Sequence, residues 1–108
     1  MHQQIKIGAN IWTIKEVANE FSLNPVMAET DNYKQHILID RDINEIMKEQ
    51  VLWHELLHAI GYTIDDERLK TDEAYVNTLS HFLVDIIKQL NKSKIDKFKG
   101  FNSEDIIK

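Results

Sequence analysis

The stretch Val51-Leu-Trp-His-Glu-Leu-Leu-His-Ala-Ile60 constrains this chain more than any other. Seven of its ten residues are apolar, and the exceptions are His54, Glu55 and His58. A segment that is apolar nearly all round belongs inside a protein. An unpaired histidine or carboxylate buried there is costly. The fold must therefore give these three side chains partners.

The surrounding pattern is helical. Asp42, with Glu45 three residues on, predicts a helix start close to a capping box. The periodicity runs from Ile43 to Ile60, and Gly61 stands where a C-terminal cap glycine belongs. Tyr62 to Lys70 reads as a charged loop. Thr71 can cap a second helix, with Asp72 and Glu73 in a first turn whose dipole favours them. That helix is expected to reach about Leu90, with Tyr75, Val76, Leu79, Phe82, Leu83, Ile86, Ile87 and Leu90 on one stripe. Upstream, the alternation in Gln4–Gly8 and Ile11–Val17 predicts a β-hairpin turning at Gly8 to Asn10. Phe21 to Pro25 reads as irregular. Asp31-Asn32 is a turn pair, and Gln35–Asp40 is a strand expected to pair in a second hairpin. The predicted class is α+β: a small antiparallel β-sheet of hairpins packed against two long helices. One domain is expected over residues 1–91, with a polar tail over 92–108.

Composition narrows the function. The chain of 108 residues has no cysteine, so a metal site must use histidine and carboxylate. It has no apolar run near the ~18 residues of a membrane span, and its first residues lack an apolar signal core. A cytoplasmic location is the expectation, with no membrane partner. The net charge of −5 argues against nucleic acid as a partner. The one basic concentration, Asn91 to Gly100, reads as a solvated tail.

His54 and His58 lie four apart. On a helix that is ~40° around and ~6 Å along the axis, so both rings leave one face and can meet one zinc ion at ~2.0–2.1 Å. Glu55 lies about 100° further round from His54, badly placed as a ligand beside them but able to reach a water at the metal. This is the H-E-x-x-H arrangement, in which zinc lowers the pKa of the water to about 7 and the glutamate is general base. Random placement of 5 His and 9 Glu in 108 residues would produce it in about 2% of such chains. Two hydrogen-bonded core histidines with an edge glutamate is the bland alternative.

A catalytic zinc takes three protein ligands. Glu73, 15 residues after His58, lies at the edge of the second helix's apolar stripe and is preferred. Asp65 competes, because His54 to Gly61 opens like the longer metzincin motif, although the third-ligand position there is Ile64. Asp66, Glu67 and Asp72 are neighbours of that alternative. His81 is expected to face solvent, and His2 and His36 read as exposed or hydrogen-bonded.

His54-Glu-Leu-Leu-His58, followed by Glu73, Val76, Leu79 and Phe82-Leu83, resembles the ImmA/IrrE-like small zincins, above all the short phage and prophage forms that open with β-hairpins. The likeness covers residues 4 to 90, and Val76 departs from the alanine that longer members favour. The resemblance implies a minimal zincin-like domain. It implies zinc held by His54, His58 and Glu73, Glu55 as base, and a phage-associated, cytoplasmic metallopeptidase acting on a protein or peptide substrate. The strand His36–Asp40 would be the edge on which the peptide pairs. Tyr33, Tyr62, Tyr75 and His81 are candidate oxyanion donors. The competing readings are a zinc-containing binding or regulatory module with little or no hydrolysis, and a structural zinc domain with Asp65 or Asp72 as fourth ligand.

Overall fold

A computed structural model describes residues 2–18 and 27–97. The stretch Phe21 to Pro25 and residues 98–108 of the expected tail lie outside the described residues. The chain opens with β1 (His2–Ile7) and β2 (Asn10–Val17), an antiparallel hairpin in which Ile5 faces Trp12. Gly8 makes the turn with φ at 61°, a left-handed value that glycine adopts without strain. β3 (Ala28–Asp31) and β4 (His36–Asp40) form a second antiparallel hairpin, with the Asp31 carboxylate accepting from Lys34 N–H at 3.0 Å in its turn.

The sheet order is β1-β2-β4-β3, and β2 pairs with β4 in parallel. The expected all-antiparallel sheet is therefore corrected to a mixed one. Alternation specifies which side chains face inward, and it is the same for both strand directions. The order also corrects the expected edge. His36–Asp40 lies inside the sheet, and among the described residues β3 is the edge strand beside the helices.

The helices are three rather than two: α1 (Glu45–Ile64), a short α2 (Glu67–Thr71) and α3 (Glu73–Lys97). Their starts fall beside the expected caps. Asn44 caps α1 by accepting from Met47 N–H at 2.8 Å, while Asp42 gives its own N–H to Asp40. Asp66 caps α2, and Asp72 rather than Thr71 caps α3 by accepting from Tyr75 N–H at 3.0 Å. α3 continues past the expected domain edge at residue 91 to Lys97.

The core lies between one face of the sheet and α1. Trp12, Ile37 and Ile39 meet Val51, Leu56 and Ala59, with Ile5, Ile7, Ile14 and Trp53 packed around them. Glu16, on the same sheet face, forms an ion pair with Lys48 of α1 at 2.6 Å. α3 buries Val76, Ser80 and Val84, four residues apart, and Ser80 accepts from Gln50 of α1 at 2.9 Å. Ser80 and Val84 lie outside the expected stripe, so the buried face of α3 is rotated from it, and Phe82, Ile86 and Leu90 of that stripe are exposed.

Candidate metal centre

α1 carries His54 and His58 on one face, four residues and just over one turn apart. The Asp72 cap starts α3 one residue before Glu73, so the Glu73 carboxylate reaches back to both rings. His54 Nε2 lies 3.0 Å from Glu73 Oε2, His58 Nε2 lies 2.8 Å from Glu73 Oε1, and the two Nε2 atoms are 3.2 Å apart. Zinc bound tetrahedrally at ~2.0–2.1 Å sets its ligands about 3.3 Å from one another. An opening of a few tenths of an ångström fits the ion.

The His58 ring has a defined orientation. Its Nδ1 lies 2.9 Å from the Leu69 carbonyl, which can only accept, so Nδ1 carries the proton. The lone pair of neutral His58 is then on Nε2, aimed at Glu73 and at His54. A ligating histidine anchored through its second nitrogen is the usual outer arrangement of a metal site. Two protons could bridge the group instead, but they would set two N–H groups side by side across 3.2 Å. One metal ion satisfies all three groups.

Gly61 makes the anchor possible. It is buried inside α1 and is not the expected cap, because the helix runs one further turn to Ile64 and ends at Asp65 in a left-handed conformation. A Cβ on Gly61 would lie 2.6 Å from Leu69 Cβ and 2.8 Å from the Leu69 and Lys70 backbone. α2 therefore crosses α1 in direct backbone contact, which brings the Leu69 carbonyl to His58.

Glu55 is buried, and burial pushes its carboxyl above the ordinary 4.5, opposed by a hydrogen bond from Thr30. Thr30 Oγ1 donates at 2.7 Å to Glu55 Oε1 and also lies 3.1 Å from the Glu55 carbonyl oxygen. Glu55 borders two open grooves that meet at Ala28. One, of about 550 Å³, runs past His54 between Met27, Met47 and Val51. The other, of about 240 Å³, holds His58, Tyr62, Lys70 and Glu73.

Among the described residues, His54, His58 and Glu73 are the one such group able to hold a metal. The chain matches no protein family, no curated protein and no solved structure. Asp65 is exposed and paired with Lys70, and Asp66 and Asp72 are spent as helix caps. Glu67 lies 3.8 Å from Lys70. His81 is exposed but borders the larger groove. His36 lies 4.0 Å from Asp31 within the β3–β4 hairpin. Tyr62 borders the smaller groove, Tyr75 lies under Arg68, and Tyr33 is exposed on the β3–β4 turn. Thr30 and the Leu69 carbonyl were not foreseen. Thr30 sits 25 residues from Glu55 with no motif joining them, and a backbone carbonyl has no sequence signature.

Proposed function

We propose that this chain is a zinc-dependent peptidase, with His54, His58 and Glu73 holding the metal and Glu55 as general base. The observation that carries the reading is the convergence of three ligand groups, each with an atom within 3.2 Å of each of the other two, with the proton of His58 committed to the Leu69 carbonyl. Zinc held there would supply a Lewis acid and acidify a bound water.

The protein's own groups supply the rest. Among the described residues, β3 presents an unpaired edge to the site. The Asp40 N–H to Met27 carbonyl bond, at 2.8 Å, fixes the pairing phase of the β3–β4 hairpin. By alternation, the N–H and C=O of Ala28 and Thr30 point away from β4. They can pair with an extended peptide laid along β3, beside Glu55. The Glu55 carboxylate takes a proton from the attacking water and delivers it to the leaving amine, while Thr30 holds it in place. A buried carboxylate with this support favours hydrolysis over a metal that merely organises a docking surface. Kinship with the ImmA/IrrE-like zincins is part of the same proposal. No helix among the described residues is long and apolar enough to cross a membrane.

Elemental analysis of untagged protein tests the reading. Wild type is expected to hold about one zinc per chain, and Glu73→Ala to lose it. Glu55→Gln is expected to keep the zinc and lose peptide hydrolysis. Wild type without metal under zinc-replete conditions would overturn the assignment and leave the histidines as core residues bridged by protons.

A further inference from the structure

The larger groove has a chemistry that the metal centre does not need. It leaves the centre at His54 and Glu55 and runs along α1 away from Glu73. Its apolar walls are Met27, Val51 and Met47, with the small Ala28 where it joins the edge strand, and Asp40, Gln50, Asn77 and His81 also line it. Val51 is buried, Met47 is half-buried and Met27 is exposed, so apolar surface lies open from floor to rim. Methionine side chains are unbranched and adaptable, and they shape themselves around varied apolar groups. The smaller groove, on the other side of Glu55, carries Lys70, Tyr62 and Glu29 instead. The two sides of the centre therefore differ in polarity.

Resting on the peptidase reading, we infer that the enzyme selects extended peptides with a bulky apolar side chain, such as leucine, methionine or phenylalanine, at the residue beside the scissile bond. That side chain enters the Met27–Met47–Val51 groove while the peptide backbone pairs with Ala28 and Thr30. Nothing in this arrangement calls for a folded epitope. The substrate is an unfolded or loop segment of a protein, able to lie flat on a strand edge.

Peptide hydroxamates provide a test that does not depend on turnover. Three probes differ only in the side chain next to the zinc-binding group: isobutyl, hydrogen or carboxymethyl. Binding to the zinc-loaded protein is measured by calorimetry. The isobutyl probe is expected to bind about tenfold or more tighter than the hydrogen probe, the effect of burying one aliphatic side chain, and the carboxymethyl probe no tighter than the hydrogen probe. Met27→Asp and Met47→Asp are expected to shrink the isobutyl preference to about threefold or less, with zinc content unchanged. Equal binding of the isobutyl and hydrogen probes to wild type would overturn the inference and leave the metal reading intact. So would a preference that survives both substitutions. A protein that holds no zinc and binds no probe would overturn the peptidase reading, and the inference with it.

Discussion

Thr30 is the residue on which the proposed role of Glu55 as a base turns. Burial alone would favour the protonated acid, and the 2.7 Å hydrogen bond from Thr30 stabilises the carboxylate that a base must be. Hydrogen bonds to charged groups contribute ~1.5–3 kcal/mol. Thr30→Val, nearly the same shape without the hydroxyl, is therefore expected to lower kcat for peptide hydrolysis about tenfold to a hundredfold. Zinc content should stay at the wild-type value and Thr30→Ser should restore most of the rate. Zinc loss in Thr30→Val would show instead that the residue supports the metal site as a whole. The histidines and Glu55 were legible from five letters of sequence, because helical spacing alone puts His54 and His58 on one face. Thr30 was not, because a contact across 25 residues depends on how the sheet edge meets α1.

At the scale of elements, the crossing of α1 and α2 decides the geometry of the proposed metal site. Gly61 leaves no room for a side chain, and the carbonyl that orients His58 comes from the segment pressed against it. Gly61→Ala adds a methyl group that would lie only 2.6–2.8 Å from Leu69 and Lys70. Forcing the two segments apart is expected to cost ~1–3 kcal/mol of stability. Moving the Leu69 carbonyl off His58 should also weaken zinc binding about tenfold to a hundredfold. Chemical denaturation and competition with a chelator measure the two effects, and wild-type zinc affinity in Gly61→Ala would separate the crossing from the site. The glycine was legible but its role was not. A glycine after an apolar helical run signals a cap, and only the path of α2 shows that it makes space.

At the scale of the molecule, the sheet and α1 are joined by apolar packing, by the Thr30–Glu55 hydrogen bond and, among the described residues, by the ion pair of Glu16 with Lys48. The hydrogen bond from Lys48 holds the Glu16 carboxyl below its ordinary 4.5, and the same bond raises Lys48 above 10.5. A carboxyl lowered in the folded state binds fewer protons there than in the unfolded chain. Its contribution to stability is present above pH 4.5 and is lost as pH falls through the folded value. The lysine's contribution is present below pH 10.5 and is lost as pH rises through its raised value. Glu16→Gln should therefore be less stable than wild type near pH 7, with the difference closing under acid. Urea denaturation at pH 7 and near pH 3 measures it, and a difference that persists unchanged at pH 3 would assign the effect to packing.

The sequence by itself determined the α+β class, the two long helices, the first hairpin and the face that carries His54 and His58. These follow from local periodicity and spacing, which a short segment contains whole. It also marked Glu73 as the preferred partner, because a carboxylate at a helix start beside an apolar stripe has few directions to point. Only the tertiary structure decided that β4 runs parallel to β2 and that β3 is, among the described residues, the edge beside the helices, since an alternating strand reads the same in either direction. It alone brought Thr30 to Glu55, the Leu69 carbonyl to His58 and an apolar groove to the open side of the centre. Each of these joins residues distant in the chain, and their meeting is a property of packing that no local pattern encodes.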